Sequence, residues 1–186
     1  VGFELEVCPV GIPEEQGEGE SVAAFVRRLA TQKAEAAARS ETWQASKAAA
    51  LIAADTVVHV DDHQALGKPA DAADANAMLS MLVGRPHYVS TAYAIIAPEE
   101  FAPACVEVRT TTVEFQPLDD AAIDAYVETG ESFGKAGAYA IQGRASAFVK
   151  RIEGNWDTVV GLPVSDVIQS LFALNLLSRF PFATVS

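Results

Sequence analysis

Cysteine is scarce. Cys8 and Cys105 are the two in 186 residues, too few for a disulfide framework or a cysteine metal cluster. Reduced thiols in a cytoplasmic protein are therefore expected. Positive charge is also short: 13 Lys and Arg stand against 25 Asp and Glu, a formal net charge of −12. No basic stripe runs through the chain, which argues against a nucleic-acid duplex as partner. A small polyanion is still within reach if local cations and a divalent metal meet it. Long hydrophobic runs are missing as well. Every apolar stretch is broken before the length of a membrane span, and Val1-Gly2-Phe3-Glu4 lacks the basic head of a signal peptide. No membrane partner is expected.

What is present is apolar material for a core. Half the residues are hydrophobic, enough for one sizeable domain or two small intimate ones. The run Leu51 to Val60 is of strand length and rich in β-branched residues, the pattern of a strand buried on both faces. Asp55 sits in its middle. A carboxylate there is costly unless it is paired, hydrogen-bonded or metal-bound, which makes Asp55 the first candidate for chemistry.

Other elements follow from periodicity and punctuation. Phe3 to Val7 alternates like a half-exposed strand, and Pro9 to Gly19 is a glutamate-rich loop. Ser21 is placed to cap a helix whose stripe is Val22, Phe25, Val26 and Leu29. Lys33 interrupts that stripe; its stem packs while its ammonium reaches water, or it points into a cleft. Asp61-Asp62-His63-Gln64 reads as a solvated turn, and His59 as a packed or surface histidine. Asp71 caps a helix through Met78, Leu79 and Leu82 that Gly84 ends. His87 to Ile96 and Val106 to Phe115 are strands able to pair antiparallel. Asp119 caps a helix with Ile123, Tyr126 and Val127 inward, stopped at Gly130. Ser146 to Ile152 is a strand and Thr158 to Val160 a short extended piece. Pro163 opens a last helix to about Leu177, and the tail to Ser186 frays. The whole is an α/β domain on a mixed sheet, with a ligand cleft at strand ends.

Two glycine-bearing stretches flank lysines. Gly67-Lys68-Pro69 fixes the backbone around Lys68. Gly134 to Arg144 combines small residues with Lys135 and with Gln142, whose amide both donates and accepts. Neither has the spacing of a Walker loop or a dinucleotide fingerprint.

Taken in order, Arg28-Leu29-Ala30 with Lys33-Ala34, Ala54-Asp55-Thr56-Val57-Val58, Gly67-Lys68-Pro69, Lys135-Ala136-Gly137-Ala138-Tyr139 with Ile141-Gln142-Gly143, and Val159-Val160-Gly161-Leu162-Pro163 resemble the Maf family of nucleoside triphosphate pyrophosphatases. The match runs across nearly the whole chain, and Ala-Asp-Thr with Tyr-x-Ile-Gln-Gly is similar to the branch that hydrolyses dTTP and UTP. The resemblance implies a single domain over residues 1–186, an elongated mixed sheet with two lobes around a cleft, similar to inosine triphosphate pyrophosphatases. It also implies a Mg²⁺- or Mn²⁺-dependent attack of water on the α-phosphorus, giving the nucleoside monophosphate and pyrophosphate. By the same resemblance Asp55 is the proton acceptor, and Glu14 joins it as a metal or water contact. Lys33, Lys68 and Lys135 are cations around the phosphates, Lys33 and Lys68 beside the catalytic base. Thr56 and Gln142 bear on base choice, and a homodimer is expected. Pro13 and Gly134 stand where many members carry an acidic residue, and the family's first strand and Ser/Arg phosphate loop would precede Val1. A nucleotide-binding regulator of septum formation, and a purine or modified-nucleotide pyrophosphatase, are the competing functions.

Overall fold

The chain after its first loop folds onto one sheet; the computed structural model describes residues 2–180. Ser21 caps α1 (Val22–Ala38) by accepting the Ala24 amide at 3.2 Å, and the expected stripe continues through Ala30, Ala34 and Ala37. Ser40 caps a short α2 (Glu41–Ala45), a helix hidden in a stretch that reads as merely polar. The central strand β1 (Leu51–His59) and the two-residue β2 (Ala65–Leu66) follow, then α3 (Ala72–Leu82) behind its Asp71 cap. Two long strands, β3 (Pro86–Ile96) and β4 (Cys105–Phe115), form the expected antiparallel pair. After α4 (Asp120–Glu128), two 3-10 turns lead to β5 (Val149–Glu153), α5 (Trp156–Val160) and α6 (Val164–Ala173).

The sheet order is β2-β1-β3-β4-β5, and every pairing is antiparallel among the described residues. The pleat of β3 divides the core. Ala92, Ala94 and Ile96 face α1, together with Leu51 and Val57 of β1. Val89 lies on the opposite face with Val58, Val113, Phe115 and the buried sides of α3 and α4. Tyr93 and Ile95 share that second face with Val167 and Leu171 of α6. The α/β architecture, with helices covering a long sheet, is the expected one, but the sheet is antiparallel rather than mixed among the described residues: β2, β4 and β5 each return beside the strand before them, β3 runs back along β1, and no helical crossover sets two neighbours parallel.

The strand expected over Ser146 to Ile152 begins only at Val149, because Arg144–Phe148 winds as a 3-10 turn before the chain reaches β4. Three further local expectations are overturned. Residues 3–7 form no strand; Leu5 and Val7 are 86% and 81% exposed. No described strand lies beside them to take their backbone groups, and alternation alone cannot supply a partner. Thr158 to Val160 is the end of α5, because Trp156 to Val160 can close a helical turn before Gly161 takes φ +122°. The final helix stops at Ala173 rather than near Leu177: Asn175 adopts φ 57°, and the Leu176 amide returns to the Leu171 carbonyl at 2.9 Å. The last six residues of the expected frayed tail, 181–186, lie outside the described residues.

β1 is also not buried on both faces throughout. Its ends are buried, but the run from Ile52 to Thr56 is half-open. β2 pairs only with Val58 and His59, so the outer edge of β1 is left without a strand from Leu51 to Val57 among the described residues. The cleft opens there. His59 is packed, as expected. Its Nδ1 donates to the Asp61 carbonyl at 2.7 Å, and its Nε2 meets the Ser90 hydroxyl at 2.9 Å.

Candidate active site on the central strand

Alternation along β1 sends Asp55 and Thr56 to opposite faces of the sheet. Asp55 falls on the α1 face, where Lys33 reaches it. The residue that interrupts the apolar stripe of α1 therefore bonds a carboxylate instead of extending to water. Lys33 Nζ donates to Asp55 Oδ1 and, at 2.7 Å, to Glu14 Oε1. Lys68 Nζ donates to the other Glu14 oxygen at 2.8 Å. Two lysines and two carboxylates thus form one chain, Asp55–Lys33–Glu14–Lys68, along a cavity of about 320 Å³ that Leu29, Thr56, Gly67 and Ala136 help to line.

The electrostatics of the chain are uneven. Asp55 is only 10% exposed at its side chain, and burial raises its pKa although the Lys33 ammonium pulls it down. Burial works against the Lys33 charge, yet hydrogen bonds to Asp55 and Glu14 outweigh it and raise that pKa. Glu14 is more open, and its hydrogen bonds to Lys33 and then Lys68 lower its pKa. Asp55 is thus the carboxylate whose negative charge the surroundings favour least.

Thr56 faces the second cavity, about 250 Å³, with Val58, Val89, Tyr139, Val159 and Val160 as apolar walls and Lys135 and Gln142 at its polar end. Thr56, Lys68 and Ala136 line both cavities, so the two form one bent cleft around the open edge of β1. Apolar walls with a few polar groups suit a flat ring, and the lysine-carboxylate cavity suits an anion. Lys135 and Gln142 are exposed and bond no other described side chain, leaving both free for a ligand. A third cavity, about 390 Å³, runs outside Leu51 to Ala54 against Leu5 and Trp43 and holds Lys33 but no other candidate residue.

The Gly134–Arg144 segment is held in place along its length. The Gly137 amide donates to the Gly67 carbonyl at 3.1 Å, tying the two lysine-bearing loops together. Gly137 takes φ +64°, and a Cβ there would meet Val58 Cβ at 2.8 Å, so the loop approaches β1 as only glycine allows. Buried Tyr139 shares a 3.0 Å hydrogen bond with His87, and the Ala140 amide donates to Tyr126 Oη at 3.2 Å. Glu131 accepts the Arg144 amide at 2.8 Å, just after Gln142 and Gly143.

The structure therefore brings Asp55, Glu14, Lys33 and Lys68 into direct contact and sets Thr56, Lys135 and Gln142 around the adjoining cavity. Sequence reasoning misses Thr91, Tyr139's partner His87, and Glu131. A buried threonine or histidine in a strand carries no sequence signal of its own. Among the described residues no group of three or more His, Cys, Asp or Glu side chains converges as a metal site. Glu14 and Asp55 offer an oxygen-only donor pair, which fits a hard divalent cation that takes its remaining ligands from phosphate and water. No helix among the described residues is long and apolar enough to cross a membrane.

The family described as Maf-like protein matches residues 1–174. A dTTP/UTP pyrophosphatase of Geobacter metallireducens is 48% identical over 178 residues, covering 95% of this chain and 88% of the relative. The dTTP/UTP pyrophosphatase of Geobacter sulfurreducens is 46% identical over the same shares of the two chains. That of Burkholderia thailandensis is 46% identical over 159 residues, covering 85% of this chain and 74% of the relative.

Proposed function

This chain belongs to the Maf-like protein family, and on that premise we propose that it hydrolyses nucleoside triphosphates, dTTP and UTP foremost, to the monophosphate and pyrophosphate. The observation that carries the reading is Asp55. It is a carboxylate in the middle of an apolar strand, largely buried, and held by a lysine that α1 aims across the cleft.

In this reading the α1-side cavity takes the triphosphate and the cavity beyond Thr56 takes the base. Asp55 accepts the proton of the water that attacks the α-phosphorus, a role that its raised pKa suits. Lys33 and Lys68 exchange their carboxylate partners for phosphate oxygens, supplying fixed positive charge where the transition state spreads negative charge. Lys135 meets the phosphates from the facing loop, while Thr56 and Gln142 address the polar edge of the base. Glu14 and Asp55 would hold a divalent cation such as Mg²⁺ or Mn²⁺, which when bound neutralises and polarises the phosphate oxygens. With a net charge of −12, the protein needs this local concentration of cations to admit a polyanion. The same reading places the protein in the cytoplasm, as two free cysteines favour, and makes it a homodimer.

The test is pyrophosphate release from a nucleotide panel with Mg²⁺ or Mn²⁺, using the chain and Asp55→Asn. We expect the substitution to cost at least about a hundredfold in kcat with the fold intact by circular dichroism. Undiminished release by the variant would remove Asp55 from the mechanism. Tight triphosphate binding without release by the unaltered chain would favour a regulatory nucleotide sensor.

A further inference from the structure

Two oxygens behind Thr56 fix the direction of its hydrogen bond. Thr56 Oγ1 and Thr91 Oγ1 are 2.8 Å apart, and Thr91 Oγ1 donates to the Thr158 carbonyl at 2.7 Å. A carbonyl oxygen only accepts, and a hydroxyl has one proton. The Thr91 proton is therefore committed to Thr158, and Thr91 can only accept from Thr56. That commits the Thr56 proton in turn. What Thr56 then offers the cavity is a lone pair.

The arrangement is held from both ends. Thr91 is fully buried in β3 opposite Thr56 in the strand register. Thr158 lies in α5 near its C-terminal end, where carbonyls run out of helical donors. Reversing the chain would leave that buried carbonyl without the Thr91 proton, a costly exchange. Gly161 completes the setting: it takes φ +122°, and a Cβ there would touch Thr56 Oγ1 at 3.4 Å.

Resting on the reading that this cavity takes the base, we infer that Thr91 is a specificity-determining residue. It makes Thr56 an obligate acceptor and so selects a ring that presents an N–H. Uracil and thymine carry such a donor at ring N3. Cytosine carries a lone pair at the same atom, which would face the Thr56 lone pair. Gln142 does not discriminate in this way, because its amide can turn to present either group.

The experiment is kcat/KM for UTP, CTP and N3-methyl-UTP with the unaltered chain, Thr91→Val and Thr91→Ser. The unaltered chain is expected to favour UTP over CTP and to process N3-methyl-UTP poorly. Thr91→Val frees the Thr56 proton, so Thr56 can donate to a ring lone pair. The UTP-to-CTP ratio should fall about tenfold, through gain on CTP as well as loss on UTP. Thr91→Ser keeps the hydroxyl and should keep the ratio. An unchanged ratio in an active Thr91→Val enzyme overturns the inference, as does a proportional fall on both substrates. Should Thr91→Val not fold, the analogue decides: N3-methyl-UTP hydrolysed as well as UTP by the unaltered chain overturns it. Pyrophosphate from no triphosphate at all overturns both the inference and the reading beneath it, whereas release from UTP and CTP alike overturns the inference alone.

Discussion

His87 shows how a single buried side chain ties the site to the core. Its ring is fully buried, edge-on to Phe115 at 4.8 Å between centroids, and bonded to Tyr139, which lines the cavity beyond Thr56. Burial pushes its pKa down to about 4 from 6.5, against the Arg85 backbone; His59 and Arg85 act with burial. A depressed folded pKa means that the unfolded chain takes up the proton first. The contribution is complete above about pH 6.5 and is lost as pH falls toward 4, roughly 3 kcal/mol in all. His87→Phe should be less stable at neutral pH, because it strands the Tyr139 hydroxyl. Its urea midpoint should also fall less steeply than that of the unaltered chain between pH 6.5 and 4. Parallel curves for the two proteins would show that His87 is not the titrating group.

At the scale of one helix, α1 is where sequence and structure agree best. Its cap, its stripe and its interruption at Lys33 can all be read from spacing, because a surface helix is written by local periodicity. Ser21 ends the helix with one side-chain bond to the Ala24 amide. Ser21→Ala should cost about 1 kcal/mol in urea denaturation and, by fraying the first turn far from Lys33, should leave kcat nearly unchanged. A stability loss within error would mean that packing of Val22 and Phe25 alone holds the end. Strands are less legible. Phe3 to Val7 has the alternation of a strand and no neighbour to pair with, while β3 and β4 have both. Thr158 to Val160 shows the reverse failure, since β-branched residues form the last turn of a helix once Trp156 and Asp157 precede them. A strand depends on a partner that its own residues do not name.

At the scale of the molecule, the sheet has a strong centre and an open side. β3 is paired along nearly its whole length by β1 on one side and β4 on the other. β1 has a second neighbour only at Val58 and His59. Hydrogen exchange should accordingly find the amides of Tyr88 to Ile95 uniformly slow, and those of Leu51 to Val57 alternating slow and fast. Uniform protection across β1 would mean that something covers its outer edge in solution. The candidate site was legible to a similar depth. Asp55 stands out because a charge breaks an apolar run, and the lysines stand out beside glycines. Thr91 does not, because its role depends on a carbonyl 67 residues away that only the fold brings near.

The pleat of β1 separates Asp55 from Thr56 although they are neighbours in the chain, and this matters for how such a protein can diversify. Changes at Thr56 or Val58 reach the wall of the second cavity while Asp55 keeps its contact with Lys33 on the other face. A lineage could acquire a new nucleotide preference codon by codon without passing through an inactive ancestor. A single-residue deletion before Asp55 would do the opposite, turning both sets of side chains to the wrong faces at once. Point substitution is therefore open to this strand, and length variation is not.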